Sequence, residues 1–386
     1  MRRINFVLTI TIVFVFTASL TGSAFAAPPA QAKWTVMVYM SGDNDLESYV
    51  VPDIETELAL TGSNSDVEVV ALVDRGPGYD TSYGDWQQTL LFHVTPGMTA
   101  ASENAVADWG ERNMADPQTL IEFVDWARTT YPADHYALYF WGHGWNWRPG
   151  YVMRDDTNDD TLEMGELKPA LPSLGFIDMV AYDGCNMAAL EVEQLWHGHA
   201  TALSHSEEYV VWEGVQYDQV LAQLAASPYM TADQLAIATS QSATQDKTWS
   251  AVAVDSRFDA LLTAVDQWSV ALKNGLPKYR KQYKQAFTKT QSFWQAPNDR
   301  DLYDMAYEIN RLVPDANIKR RSQDVMNAVN SVVLHERHVN GYTGSHGITI
   351  FHISNATEKD DLYTNYLTLD FAKLTGWDEF LDAYAK

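Results

Sequence analysis

Cysteine is nearly absent from this sequence, and basic residues are scarce. A single cysteine, Cys185, occurs among 386 residues, so no disulfide can form within one chain. Lysine and arginine number 26 against 51 aspartates and glutamates, which argues against a nucleic-acid partner because such a partner usually requires a basic face. No Gly-x-Ser-x-Gly turn occurs, which disfavours a serine hydrolase. Beyond residue 20 no apolar run could span a bilayer, so we expect no stable membrane insertion.

The N-terminal segment has the pattern of a signal peptide. Two arginines at positions 2 and 3 precede an apolar run over residues 4–20, and residues 24–26 (Ala-Phe-Ala) match a small-x-small cleavage site. We expect residues 1–26 to be removed, residues 27–33 to form a short leader, and the protein to reach the periplasm or the cell exterior. In an exported protein a lone cysteine is either an inert buried thiol or a reactive one.

Apolar segments alternate with helical patterns along residues 34–255. Short apolar runs bounded by glycine and aspartate are typical of strands buried on both faces of a parallel sheet. The fold class predicted here is therefore α/β, a mostly parallel β-sheet flanked by helices. Residues 256–386 are predicted to form a mainly helical subdomain packed on it, with one returning strand near residues 347–353. We expect four helices before that strand, over residues 256–276, 277–293, 302–312 and 322–334, and a monomeric protein.

Two predicted strands end in residues with reactive side chains. An apolar run over residues 136–141 stops at Gly142-His143-Gly144, and a second run over residues 176–182 stops at Asp183-Gly184-Cys185. Reacting residues of open α/β sheets lie just past the carboxyl ends of strands, so the histidine and the cysteine could meet at one edge. Such a pair can serve as base and nucleophile in thiol catalysis. A helix predicted over residues 187–196 would lower the pKa of the thiol through its N-terminus.

Several segments resemble the clostripain family of cysteine peptidases, which belongs with caspases, gingipains and legumain. The resemblance runs from about residue 34 to the C-terminus and implies a caspase-like α/β fold. One departure follows Asp183, where family members usually carry Ala-Cys-Leu-Met-Gly and this chain has Gly-Cys-Asn-Met-Ala over residues 184–188. The matching segments are WTVMVYMSGDNDLE, WGHGW, DDTNDDTLEMGEL, YDGCNMAALE, SEEY, SHGITIF and YLTLDFAKLTGWDEFLDAY.

The resemblance implies a role for each strand-end residue. Cys185 would be the nucleophile and His143 the acid and base of a dyad without an essential third carboxylate. The backbone N–H groups of Gly144 and Cys185 would bind the oxyanion. Asp183 would line the primary specificity pocket, so the expected substrates are proteins or peptides cleaved after Arg and, less readily, Lys. Three further acidic residues could form the pocket rim or ordinary loop surface: Glu207, Glu208 and Glu213.

Self-processing and calcium binding also follow from the resemblance. Family members are often zymogens that cut themselves after a basic residue between the histidine and the cysteine, where this chain offers Arg148 and Arg154. No cofactor is expected to be required, although some relatives depend on calcium. The acidic cluster after Arg154 could bind calcium but does not match the EF-hand pattern. Its candidate ligands are Asp155, Asp156, Asn158 and Asp160.

Two other functions stay open on the sequence alone. A catalytically silent relative could bind basic peptide segments through the same acidic pocket. An amidase acting on small molecules is the other, and a peptide library would distinguish it from a peptidase.

Overall fold

A nine-stranded sheet is built from the apolar segments that the sequence predicts as strands. The computed structural model describes residues 31–150, 152–244, 247–353 and 361–386, so the predicted signal peptide lies outside the described residues. The strands run in the order β10-β8-β7-β6-β5-β1-β2-β3-β4, and a separate two-stranded sheet pairs β11 with β9. They are β1 (Ala32–Ser41), β2 (Val67–Asp74), β3 (Leu90–His93), β4 (Ala107–Asp108), β5 (Ala133–Trp141), β6 (Ile177–Asp183), β7 (Ala200–His205), β8 (Thr248–Ala253), β9 (Asp299–Asp301), β10 (Val333–His338) and β11 (Thr349–Phe351).

The five central strands, from β7 to β2, are all parallel, while the strands at both edges are antiparallel. The predicted fold class is therefore confirmed. Successive side chains of a strand point to opposite faces. In β1, Met37 and Tyr39 enter one apolar layer, whereas Val36 and Val38 enter the other.

Helices cover both faces of the sheet. They are α1 (Glu47–Asp53), which continues through a π-helical turn (Ile54–Leu58) into α2 (Ala59–Thr61), α3 (Pro117–Thr130), α4 (Met164–Leu174), α5 (Leu190–Trp196), α6 (Tyr217–Ala226), α7 (Ala232–Ser242), α8 (Phe258–Lys289), α9 (Leu302–Leu312), α10 (Ala316–Val332), α11 (Asp361–Tyr366), α12 (Asp370–Leu374) and α13 (Trp377–Ala385). Residues 31–386 form one compact unit. No helix in the described parts of the chain is both long and apolar enough to cross a bilayer.

Three predictions about the second half of the chain need correction. The two helices expected over residues 256–276 and 277–293 are one helix, α8, which continues through Pro277. Residues 333–338 were not expected to form a strand, yet they form β10 on the main sheet. The returning strand at residues 347–353 shortens to β11, which pairs with β9 and not with the main sheet.

Helix α8 tolerates Pro277 because a side chain stabilises the turn before it. Proline has no N–H and its ring displaces the carbonyl four residues earlier, so it usually ends or kinks a helix. Here the buried Tyr283 hydroxyl donates a hydrogen bond of 3.0 Å to the carbonyl of Leu272. A Cβ at Gly275 would collide with that hydroxyl, so glycine leaves the space that the tyrosine fills.

We expect Tyr283→Phe to lower the free energy of unfolding by about 1–3 kcal/mol, because it removes the hydroxyl donor from a buried carbonyl. Urea unfolding followed by circular dichroism measures the change. Tyr307→Phe on α9 is the matched control, since that ring is about half exposed, at 49%. Equal stability of the two variants would show that Tyr283 does not stabilise the turn.

Candidate active site

The parallel pairing of β5 with β6 brings the two predicted catalytic loops together. Trp141 lies opposite Asp183 in the register, and the N–H of Gly142 donates to the carbonyl of Asp183 over 3.2 Å. His143 and Cys185 therefore leave the same edge of the sheet. Both line one cavity of about 400 Å³, as do Asp183 and the glycines at positions 142 and 184.

Glycine is required where the two loops touch. A Cβ at Gly144 would lie 2.6 Å from the carbonyl oxygen of Cys185, and a Cβ at Gly184 would lie 2.9 Å from the carbonyl oxygen of Gly142. Any side chain at either position would push the loops apart. Close packing against Gly142 thus explains why this chain has glycine at position 184, where it departs from the family pattern.

The Cys185 thiol is half-buried and lies at the end of a hydrogen bond. The N–H of Val210 donates to its Sγ over 3.4 Å. Burial raises the pKa of Cys185 to about 11, the hydrogen bond from Val210 lowers it, and the charges of Asp183 and Glu208 raise it further. Without a substrate, the thiol is therefore protonated at neutral pH.

The helix predicted over residues 187–196 begins three residues later than expected. Helix α5 begins at Leu190, and residues 185–189 form an irregular turn, so no helix N-terminus meets the sulfur. Asn186 adopts a positive φ of 55°, which asparagine tolerates better than most residues. Its Nδ2 donates to the carbonyl of Glu207 over 2.8 Å, which holds the turn against the end of β7.

His143 has a carboxylate partner that sequence reasoning missed. Its Nε2 lies 2.9 Å from Oδ1 of Asp45, in the loop after β1. Burial tends to raise the pKa of Asp45, but the hydrogen bond and charge of His143 outweigh it, and Arg154 adds to the net lowering. Nε2 of His143 is therefore occupied by the Asp45 carboxylate.

Two backbone donors lie where the two loops meet, since a Cβ at Gly144 would be 3.0 Å from the backbone nitrogen of Cys185. The N–H groups of Gly144 and Cys185 donate no hydrogen bond to any other described residue. Backbone N–H groups without an internal acceptor are the donors that stabilise a developing oxyanion. The predicted oxyanion site is thus chemically available at this position.

Asp183 forms the buried base of the cavity, 8% exposed. Its Oδ2 accepts hydrogen bonds from the N–H of Val215 and the hydroxyl of Tyr217, each 3.1 Å long. Burial raises the pKa of Asp183 to about 6, against the lowering effect of those two donors. A side chain at Gly214 would collide with the carboxylate, so glycine keeps this approach open.

Two further carboxylates, Asp53 and Glu57, lie behind Asp183 on the first helix and its π-helical turn. Burial raises the pKa of Asp53 to about 8, with the charges of Glu57 and Asp183 adding to it, while a 2.7 Å hydrogen bond from Trp141 opposes the rise. Burial also raises the pKa of Glu57 to about 7. Their four-residue spacing puts both on one helix face, a signal that the sequence analysis did not use.

The expected acidic rim does not form. Glu207 and Glu208 are buried away from the cavity and accept hydrogen bonds from the N–H groups of Gly347 and Trp294, respectively. Glu213 is exposed and does not line the cavity. Glu207 and Glu208 are therefore buried because they bind backbone N–H groups, and they do not form a substrate-binding rim.

Exposed aromatic rings form the cavity mouth instead. Trp212 stacks on Tyr49 with the ring centroids 5.2 Å apart, and Trp294 packs edge-on against Tyr209 at 5.8 Å. Trp212 and Trp294 are 56% and 74% exposed, which is unusual for tryptophan and typical of a binding surface. Trp294 comes from the C-terminal half of the chain, so that half completes the site.

The two basic candidates for self-cleavage have different environments. Arg148 is buried and forms two hydrogen bonds with Asp299, of 2.7 and 2.9 Å, so its side chain is not free to enter a protease pocket. Arg154 is one-third exposed and lies 3.6 Å from Asp45, the residue that bonds to His143. Of the two arginines, only Arg154 has a side chain exposed enough to be recognised by a protease.

The calcium candidates predicted from the sequence do not form one site. Asp156 pairs with Arg154, Asn158 donates to Asp155, and Asp160 accepts from Asn113. Only Asp155 joins a cluster of carboxylates, and its other members come from elsewhere in the chain.

Comparison with known proteins agrees with this geometry. Clostripain from Hathewaya histolytica is 29% identical over 223 residues, which cover 50% of this chain and 42% of clostripain, so the match spans about two-fifths of that protein's length. A secreted C11 cysteine protease from Bacteroides thetaiotaomicron, solved with an irreversible peptide inhibitor, has a TM-score of 0.68 at 17% identity over 90% of this chain and 100% of that one. An inactive zymogen C11 protease from Parabacteroides distasonis has a TM-score of 0.67 at 18% identity over 90% and 99%.

The two solved structures show that the fold is shared. The family model is more specific, because it matches nearly the whole of the described chain, from residue 38 to residue 384. This protein belongs to the Clostripain family of cysteine peptidases.

Proposed function

We propose that this protein is an exported endopeptidase that cleaves peptide bonds after arginine and, less readily, lysine. The observation that carries the proposal is Asp183, a buried carboxylate at the base of the cavity whose wall holds Cys185 and His143. A guanidinium is the side chain best suited to a buried carboxylate, because it can donate two parallel hydrogen bonds.

The negative charge at the base of the pocket resides mainly on Asp183. At neutral pH a group with a pKa of about 8, as for Asp53, is mostly protonated, whereas one with a pKa of about 6 is mostly ionised. Asp183 has the lowest pKa of the three neighbouring carboxylates. Its two hydrogen-bond donors stabilise the ionised form.

Thiol chemistry follows from the same arrangement. The Cys185 proton passes to His143 as Sγ attacks the scissile carbonyl, and the N–H groups of Gly144 and Cys185 hold the oxyanion. The tetrahedral intermediate collapses to a thioester while His143 protonates the departing amine, and a water then hydrolyses the thioester. A bound guanidinium cancels the Asp183 charge that helps to raise the Cys185 pKa, so a basic substrate favours its own attack.

Self-processing at Arg154 is part of the proposal. Its side chain is exposed enough to enter the pocket of a second molecule. Its carbonyl accepts hydrogen bonds of 2.8 Å from Ser41 and Asn44, so this turn must open before the following bond is cut. We therefore expect slow maturation.

Replacing Cys185 or His143 should abolish peptidase activity. We expect Cys185→Ala and His143→Ala in a chain of residues 27–386 to lower kcat/KM by about 10⁴-fold or more, since each removes one half of the nucleophilic pair. Fluorogenic peptides ending in Arg, Lys, Asp or Leu measure the rate, and an arginyl acyloxymethyl ketone reports labelling of Cys185. An unlabelled wild-type protein that nevertheless binds basic peptides would identify a silent binder, and turnover of small amides alone would identify an amidase.

Asp183→Asn should remove the preference for basic residues. We expect kcat/KM for Arg peptides to fall about 10²–10³-fold, because a cation then meets a neutral pocket base. Glu213→Gln, at the exposed position, should cost less than about fivefold. If both variants lose Arg turnover equally, the pocket is not built on Asp183.

The same carboxylate should set the acid limb of the pH profile. The folded-state pKa of Asp183 is raised to about 6, so the charge that binds arginine is present above that pH and lost below it. We expect kcat/KM for Arg peptides to fall as the pH drops through about 6, and this fall to be absent in Asp183→Asn.

Self-cleavage should produce a fragment that begins at Asp155. We expect Arg154→Gln to stop the cut and Arg154→Lys to slow it, because lysine still pairs with the carboxylate as a point charge. Arg112→Gln, an exposed arginine outside this loop, is the control. N-terminal sequencing of the fragment decides, and a first residue other than Asp155 would refute this maturation site.

A further inference from the structure

Aromatic rings at the mouth of the cavity have no part in the proposed thiol chemistry. All of them line the cavity that holds Cys185. They come from α1, from the loop after β7 and from the segment between α8 and β9: Tyr49, Tyr209, Trp212 and Trp294. Three segments that are distant in the chain therefore bring their rings to one opening.

One buried carboxylate fixes the backbone that carries two of these rings. Glu208 is fully buried, and its two oxygens accept the N–H of Tyr209 over 2.9 Å and the N–H of Trp294 over 2.8 Å. The carbonyl of the next residue, Gln295, accepts from the indole N–H of Trp145 over 3.1 Å, which joins this segment to the loop after β5. Because this backbone is already ordered, a ligand can bind the rings without the entropic cost of ordering a loop.

The two tryptophans present apolar surface that folding leaves in water. Both are exposed, and each has a second ring against it. Tyr49 stacks on Trp212 with the ring planes 3° apart, and Tyr209 meets Trp294 edge-on. Burying an aromatic side chain removes about 150–250 Å² from water, so rings left outside at a cavity mouth indicate a ligand with an apolar group.

The loop that carries two of the rings runs past the nucleophile. Val210 lies between its aromatic residues, and the N–H of Val210 donates to Sγ of Cys185 over 3.4 Å. In the proposed acyl-enzyme the arginine is bonded to that sulfur and its side chain extends to Asp183. The residue before the arginine then lies beside residues 209–212. The departing amine takes its proton from His143, so residues after the cleaved bond lie on the histidine side.

The surroundings of the rings favour an apolar side chain over a charged one. Lys247 already lies over the Tyr209 ring, 4.8 Å from its centre, and repels a second cation there. An acidic side chain is repelled by Asp45 and Asp183, which line the same cavity. Aliphatic residues accompany the rings at the mouth: Leu46, Val210 and Val211.

We propose that these aromatic residues form a subsite for a large apolar side chain on the residue immediately before the cleaved arginine. Trp212 and Trp294 supply the contact surface, and Tyr49 and Tyr209 support them. The preferred substrates are thus proteins or peptides in which a residue such as leucine or phenylalanine precedes arginine. The inference rests on the proposed peptidase function and adds a second determinant of specificity to Asp183.

Steady-state kinetics on matched peptides test the subsite. Residues 27–386 are assayed with acetyl-Gly-X-Arg peptides that carry a fluorogenic amide after the arginine, with Leu, Phe, Ala, Asp or Lys at X. We expect kcat/KM for Leu and Phe to exceed that for Ala by about tenfold or more, because contacts in an apolar pocket discriminate by that order. Asp at X should give the lowest rate, since it brings a third carboxylate to the cavity.

Substitutions at the mouth show which residues make the preference. We expect Trp212→Ala and Trp294→Ala each to lower the Leu-to-Ala ratio of kcat/KM by about three- to tenfold, since each removes apolar contact area. Trp212→Phe should keep most of the ratio, because a smaller ring still offers an apolar face. Each ratio is taken within one variant, so a general loss of activity cancels.

Two features of the chain keep this comparison controlled. Tyr229→Ala removes an exposed ring between α6 and α7, outside the cavity, and should leave the Leu-to-Ala ratio unchanged. The Trp294 side chain is mostly exposed, so Trp294→Ala keeps the test valid if Trp212→Ala fails to fold. Thermal unfolding of each variant shows whether it folds.

Several results would overturn the subsite and leave the arginine peptidase intact. Equal rates for Leu, Ala and Asp at X would show that the rings do not select this residue. A preference for Lys at X would show that they bind a second cation. A Leu preference that persists in both tryptophan variants would place the subsite elsewhere.

Two further results separate the side of the cleaved bond and the function itself. A preference seen only when X follows the arginine, in internally quenched peptides, would refute the assignment to the preceding residue. No turnover of any Arg peptide would refute the proposed peptidase function, and the subsite with it.

Discussion

The parallel register between β5 and β6 is the constraint on which the site depends. It sets Trp141 beside Asp183, and the chain then needs only two residues on each strand to reach the base and the nucleophile. Because the loops touch through glycine backbones, their separation is fixed by main-chain contact and not by side-chain packing. A shift of one residue would turn His143 or Cys185 to the other face of the sheet.

Buried carboxylates are a second feature on which the structure depends. The acidic excess of the sequence is most simply a solvated surface, yet several carboxylates lie inside: Asp183 with Asp53 and Glu57 behind it, and the cluster of Asp43, Asp74 and Asp155. Charge inside a protein is costly unless a cation or hydrogen bonds compensate it. Protonation meets this cost at Asp53, whose pKa is raised to about 8, and hydrogen bonds from Val215 and Tyr217 lower it at Asp183.

The sequence predicts local elements well and long-range partners poorly. Helix α9 has the predicted bounds, because the N-cap Asp301 directly precedes a run of apolar residues at helical spacing. Strand β10 was missed because VLHERH carries no alternation; it forms because β8 offers an open edge. Cys185 and His143 were found from strand ends, but Asp45 lies 98 residues before His143, and no local pattern links the two. Trp294 was missed for the same reason: it lines the cavity but lies far from His143 and Cys185 in the chain.

The loop after β1 connects these observations. Within three residues it presents Asp43 to the carboxylate cluster and Asp45 to His143, while Asn44 between them donates to the carbonyl of Arg154. The carboxylate that bonds to His143 and the amide that contacts the turn proposed for maturation are thus neighbours in one short loop. Opening the Arg154 turn must break the hydrogen bond from Asn44, the residue next to Asp45. The proposed cut after Arg154 would therefore disturb the loop that holds His143, through residues that do no chemistry themselves.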